Sequence, residues 1–143
     1  MAIPSPEPGL VISYAYLWDH EAQSGLEEGR KDRPCVVALA VERQPDRETL
    51  VTVLPVTHRP PDNAGAAVEI PIAVKRHLGL DEVRSWVIVS EGDQFVWPGY
   101  DLRKRPGADR YDHGFLPPRL FRQIMDAFRA WSRSSKVQLT PRD

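Results

Sequence analysis

The residue pattern predicts a mainly β protein with one late helix, and three observations carry that expectation. Short runs rich in β-branched and aromatic residues recur along the chain, prolines and glycines punctuate them, and a single amphipathic stretch stands near the end. Several short strands with irregular connections and one helix point to a small, strongly curved barrel or sandwich. A doubly wound sheet would alternate strands and helices instead.

Leu10 to Leu17 is aromatic and β-branched and reads as the first strand. A polar loop follows from Trp18 to Asp32, broken by Gly25 and Gly29. Arg33 to Val41 is apolar on both parities, which predicts a strand covered on both faces. Gln44-Pro45-Asp46-Arg47 is a turn, and Leu50 to Val56 returns as a third strand, a hairpin partner for the second. Thr57 to Gly65 reads as a loop and Ala66 to Ile70 as a short strand. Pro71 to Leu78 suits a brief helix, with proline in the first turn and Gly79 as the stop. Trp86 to Ser90 reads as a strand, Gln94 to Trp97 as a shorter one, and Pro98 to Gly114 as a long loop. From Pro117 to Arg133, Leu120, Phe121, Ile124, Ala127, Phe128 and Trp131 recur at helical spacing and form a core face. Arg119, Arg122, Asp126, Arg129 and Arg133 line another. Residues 1–8 and 134–143 read as flexible tails.

The 143 residues fit one domain over 1–143. No apolar run is long enough to span a bilayer, and the first residues lack the basic and apolar segments of a signal peptide. Cys35 is the only cysteine, which excludes an internal disulfide and a cysteine-based zinc site and fits a reducing cytoplasm. Net charge is −1, yet Arg103 to Asp143 holds ten basic residues against four acidic ones. A local basic face is what phosphate binding needs, because counterion release drives it. Solvated charges sorted by chance account for the excess equally well.

Familiar catalytic signatures are missing. The sequence has no HExxH, no histidine pair at helical spacing, no EF-hand loop, no GxSxG elbow and no phosphate-cradling glycine loop. Asp19-His20-Glu21 and Asp112-His113 place adjacent residues on opposite sides of an extended chain, a poor start for metal ligation. Cys35, inside an apolar strand, suits a small buried hydrophobe better than a nucleophile. No metal or cofactor is expected.

One ordered set of landmarks stands out: Gly9-Leu10-Val11-Ile12, then Glu28-Gly29-Arg30-Lys31-Asp32-Arg33-Pro34-Cys35-Val36-Val37, then Val51-Thr52-Val53-Leu54-Pro55-Val56-Thr57. In order and spacing it resembles the MazF/PemK ribonuclease toxins of type II toxin–antitoxin systems. The resemblance implies an SH3-like small barrel of the MazF/PemK/CcdB type, paired as a homodimer, with single-stranded RNA in a groove across the subunits. It also implies metal-independent cleavage of mRNA and neutralisation by a cognate antitoxin. Arg33 matches the family's catalytic arginine, Thr57 its catalytic threonine, and Glu28 an acidic loop residue. The chain departs from the pattern at Ser90-Glu91-Gly92-Asp93, where many members have Gln-hydrophobic-Arg, and in the Trp97-Pro98-Gly99-Tyr100 loop with Arg103-Lys104-Arg105.

Metal-free RNA cleavage uses the neighbouring 2′-hydroxyl as nucleophile. It requires charge stabilisation at phosphate, a base for the hydroxyl and an acid for the leaving oxygen. Arg33 suits the first task, since its planar guanidinium grips two phosphate oxygens and, with a pKa above about 12, it is a poor base. The plain alternative for Arg33 is a strand-end arginine paired with Asp32 or Glu28. Thr57 adds one hydroxyl hydrogen bond. Glu28 and His58 are the candidate proton movers, histidine being the side-chain type that exchanges protons near neutrality; a solvent-facing loop histidine is the alternative for His58. Lys31, Arg59, Trp97, Arg103, Lys104 and Arg105 are the candidate RNA contacts, because aromatic faces stack bases and cations track the backbone. Trp97 and Tyr111 suit anchors pinning their loop to the barrel slightly better.

A competing reading is a non-enzymatic toxin of the same fold that binds a protein such as DNA gyrase through its C-terminal helix. A third is an inactive family member acting as a binding module. An exposed Trp131 favours the gyrase-type reading; a buried Trp131, with Arg33 and Thr57 converging on an open groove, favours the nuclease.

Overall fold

The structure is a computed structural model that describes residues 3–26, 29 and 31–142. Among the described residues eight strands and three α-helices follow one another as β1 (Leu10–Tyr14), α1 (Asp19–Gln23), β2 (Arg33–Arg43), β3 (Glu48–Thr57), β4 (Ala67–Glu69), α2 (Ile72–His77), β5 (Trp86–Ile88), β6 (Glu91–Val96), β7 (Asp112–Phe115), α3 (Pro118–Ser134) and β8 (Gln138–Pro141), with a short 3-10 helix at Ala64–Ala66 before β4. The protein is mainly β with a C-terminal helix, as its pattern predicts. The sheet runs β4-β5-β3-β2-β1-β7, with β6 joined to β3 and β8 to β6. It is open, ending at β4 and β7. All pairings are antiparallel except β6 with β8.

The hairpin of β2 and β3 is the spine. Its register runs from Cys35 opposite Pro55 to Arg43 opposite Glu48, with one irregularity between Val37 and Leu39. Along its other edge β3 forks. Leu50 to Val53 pair with β6, while Val56 and Thr57 pair with β5. The apolar run in β2 serves two cores, because alternate side chains leave opposite faces of a strand. Val36 and Ala38 join Val11, Leu54, Val56, Leu120, Ile124 and Met125 in one. Cys35 and Val37 join Ile12, Tyr14, Tyr16, Val53 and Phe95 in the other. Each aliphatic side chain so buried contributes about 2 kcal/mol. Trp131 packs against the first core, and its indole nitrogen is buried without a hydrogen-bond partner.

Four features differ from the pattern-based expectation. The first strand ends at Tyr14, although Ala15, Tyr16 and Leu17 stay buried. The polar loop after it contains α1, whose start is held by the Trp18 N–H donating to Glu21 Oε1 at 3.1 Å. The long loop ends in β7, which completes the sheet edge against β1. The last residues are no free tail: β8 pairs with β6, and Arg142 behind it is nearly inaccessible. At the other end, residues 3–8 form no strand or helix, but Trp97 Nε1 donates to Pro4 O at 3.1 Å.

The divergent Glu91-Gly92-Asp93 segment has structural work in this chain. Glu91 Oε2 accepts from the Tyr16 hydroxyl at 2.8 Å and from the Asp19 N–H at 3.0 Å, tying α1 to β6. Burial pushes its carboxyl above the ordinary value despite those donors. A Cβ at Gly92 would lie 2.6 Å from Val53 O, so β6 can cross there only without a side chain. Asp93 is fully buried. Its Oδ2 accepts from the Leu17 N–H and from Arg142 Nη1, each at 2.9 Å, and Arg142 Nη2 lies 2.9 Å from Asp101 Oδ2.

Removing one partner of a buried pair strands the other charge, so Arg142→Ala should lower unfolding free energy by about 3 kcal/mol in a urea titration. An unchanged midpoint would mean that the C-terminal segment is dispensable. Burial raises the Asp93 carboxyl to about 7, against the lowering pull of the Leu17 N–H and Arg142. Between its ordinary value near 4 and about 7 the folded chain therefore binds more protons than the unfolded one, and this group's contribution to stability falls as pH rises. Asp93→Asn should flatten that slope in urea titrations across the window.

Candidate functional site

Three chain segments supply the charged and aromatic lining of one cleft of about 840 Å³, and Ile88 at the end of β5 and Ser90 just after it also line it. The start of β2 supplies Lys31 and Arg33, the end of β3 and its following loop supply Thr57, His58, Arg59 and Asn63, and the stretch after β1 supplies Tyr16, Trp18, His20 and Glu21. A smaller pocket of about 210 Å³ adjoins it, sharing Lys31, Arg33 and His58 and adding Asp32, Lys75, Asp81 and Ser85.

Arg33 stands half-buried at the mouth of β2. Nη1 donates to Val56 O at 3.4 Å, and the guanidinium lies 4.9 Å from the centroid of the Trp18 ring. Nε is buried with no hydrogen-bond partner, and among the described residues no carboxylate forms an ion pair with Arg33. Asp32, the neighbour that could have paired with it, lies 3.8 Å from Arg103 instead. Arg33 therefore has donor capacity to spare, in a place where a buried donor left unmade is expensive. Thr57 Oγ1 accepts the Arg59 N–H at 3.2 Å, which leaves the hydroxyl proton free to donate.

His58 continues from Thr57 into the loop, where its side chain is 57 % exposed. Its Nε2 lies 2.8 Å from Asp81 Oδ2. Asp81 Oδ1 accepts from Lys75 Nζ and, at 3.1 Å, from the Val83 N–H. Partial desolvation acts to raise the Asp81 carboxyl, but Lys75, the Val83 N–H and His58 outweigh it and hold the group below its ordinary value. Lys75 is fully buried and donates also to Val83 O and Ser85 Oγ.

The structure thus brings Arg33, Thr57, His58, Lys31 and Arg59 together. Glu28 lies outside the described residues. Four candidate RNA contacts sit off the cleft. Trp97 is an anchor: its ring stacks on Phe95 with centroids 6.0 Å apart, and its indole N–H is committed to Pro4. Arg103 faces Asp32 and Asp101, and Lys104 pairs with Asp109 at 2.7 Å. Arg105 lies over the Gly79 turn. Half of the ten basic residues from Arg103 on are paired in place, since Arg110, Arg129 and Arg142 also face carboxylates. Comparison of the chain with family models, curated proteins and solved structures finds no match.

The pattern-based reading missed the aromatic wall of Tyr16, Trp18 and His20, as well as Asp81 and Lys75. Trp18 and His20 sat in a stretch taken as polar loop; their rings are 6.5 Å apart and nearly parallel. Nothing local connects Asp81 to His58. Elsewhere, burial and Arg105 lower His113 to about 4, so it is neutral at pH 7 and away from the cleft. Cys35 is fully buried, and desolvation raises its thiol well above the usual range, which leaves it inert. Among the described residues no cluster of His, Cys, Asp or Glu is arranged to hold a metal ion.

An arginine kept for a ligand should be dispensable to the fold. Arg33→Met, which keeps the stem over Trp18, should leave unfolding free energy within about 1 kcal/mol of the parent, because the buried donor it removes costs about as much as its contacts return. A loss above about 3 kcal/mol in urea titration would make Arg33 a structural anchor.

Proposed function

We propose that this chain is a metal-independent endoribonuclease that cleaves single-stranded RNA by 2′-hydroxyl attack on the adjacent phosphate, a toxin of the MazF/PemK kind. The observation that carries the reading is the convergence on one open cleft of the Thr57 hydroxyl, His58 and an Arg33 that has no carboxylate partner among the described residues, with Lys31 and Arg59 beside them. Arg33 is the charge stabiliser. Its forked donors meet the non-bridging oxygens as negative charge gathers there, and the neighbouring Trp18 ring limits its movement. Thr57 donates one further hydrogen bond to the same phosphate. Lys31 and Arg59, both exposed, track the flanking phosphates, and the Trp18–His20 wall offers faces for a splayed base.

On this reading the strands are a variant of the SH3-like small barrel, left open at β4 and β7. The active form is a cytoplasmic homodimer neutralised by a cognate antitoxin that occupies the RNA cleft. The gyrase-type alternative draws no support from Trp131, which packs against the core under α3.

Purified chain incubated with a long single-stranded RNA in chelator should cut at defined positions and leave 2′,3′-cyclic phosphate and 5′-hydroxyl ends. Arg33→Ala should abolish cutting, and Thr57→Ala should slow it by about tenfold or more, the effect of losing one hydrogen bond to a charged group. Intact RNA with the parent chain, or full activity in Arg33→Ala, would overturn the reading. Lys31→Ala and Arg59→Ala should each weaken RNA binding and reduce the slope of log affinity against log salt by about 0.7.

A further inference from the structure

His58 sits at the head of a chain of partners that runs inward: Asp81, then Lys75, then Val83 O and Ser85 Oγ. The arrangement is unlike an ordinary surface ion pair, which fixes little and contributes little. Lys75 is 1 % exposed, and a buried ammonium is expensive unless its donors are met. Here one of them is spent on Asp81, whose side chain is half exposed and turned to the pocket that Arg33 and His58 share. The Val83 N–H holds the same carboxylate oxygen. The buried lysine and the turn thus fix one carboxylate oxygen and leave the other to face the imidazole.

We infer that Asp81, set by Lys75, is a positioning residue that holds His58 with Nε2 protonated and Nδ1 bare, so that His58 is the general base of the cleft. The inference rests on the nuclease reading and supplies its missing proton acceptor. An ionised carboxylate can only accept, so the ring nitrogen facing it must carry the proton. Hydrogen bonding keeps Asp81 ionised through the neutral range. Among the described residues Nδ1 has no partner. In the reaction the 2′-oxygen bonds to phosphorus, its proton passes to Nδ1, and the P–O5′ bond breaks. The departing 5′-oxygen takes a proton from a water in the open cleft, and the hydroxide left behind is neutralised by the proton on His58.

The test follows the His58 ring nitrogens by NMR in the full chain, parent and Asp81→Asn, alongside RNA cleavage in chelator across pH. The parent should show the Nε2–H tautomer. Asp81→Asn should mix the tautomers and lower kcat about ten- to hundredfold with KM within about twofold. His58→Ala should lower kcat by about a hundredfold or more. A parent ring in the Nδ1–H form overturns the inference without any variant or any activity. If the parent cuts RNA and needs Arg33, but Asp81→Asn matches it in kcat and in tautomer, the inference fails while the nuclease reading stands. If the parent leaves RNA intact, the nuclease reading and the base assignment fail together, and the tautomer still decides whether Asp81 positions the ring.

Discussion

The register of β2 against β3 is the constraint on which the rest depends. Cys35 faces Pro55, and two steps beyond that pair the strands end at Arg33 and Thr57. A slip of one residue would turn every side chain of the hairpin to the opposite face. Val36 and Ala38 would leave the core under α3, Cys35 and Val37 would leave the aromatic core, and Arg33 would part from Thr57. Because β2 feeds two cores, the register is specified from both sides of the sheet at once. The cleft inherits that precision although its chemistry sits at strand ends, where backbone groups and side chains are free to meet a ligand.

Charge is placed in two distinct ways. Away from the cleft it is neutralised locally: Arg142 with Asp93 and Asp101, Arg84 with Glu69, Lys104 with Asp109. Arg33 is different. A buried guanidinium nitrogen without an acceptor destabilises a fold, and the Trp18 ring offsets only part of that. Local destabilisation held in place by a well-specified hairpin is what a preorganised binding group looks like. The basic stretch from Arg103 on is the converse case in half of its cations, which are conspicuous in the sequence and face carboxylates in the fold.

How much was legible follows from how local each signal is. The β2–β3 hairpin and α3 could be read because their patterns repeat over ten or more residues and need no distant partner. β7 could not. Asp112-His113-Gly114-Phe115 has little strand propensity and exists because β1 offers it an edge. Nor could β8, whose polar residues are held by Asp93 reaching back across the fold to Arg142. In the site, Arg33 and Thr57 were singled out only through the family resemblance, and His58 by its place beside Thr57. Trp18 was hidden by polar neighbours, and Asp81 by a separation of 23 positions that only the packing of α2 closes.

The same distinction bears on which groups can share the proton work. Arg33 and His58 border both cavities, yet their surroundings push them to opposite roles. Among the described residues no carboxylate holds Arg33, so its field is free to act on an anionic ligand, while its permanent charge bars it from accepting a proton. His58 is held by a carboxylate at one nitrogen and has no partner at the other among the described residues, which is the state that can accept a proton. Exchanging the environments would ruin both: Arg33 paired with Asp81 would be neutralised before any anion arrived, and an unheld His58 would divide its time between tautomers. The fold keeps them apart by origin. Arg33 comes from the spine, whose register is set by two cores, and the partner of His58 comes from the α2–β5 connection, anchored by a single buried lysine.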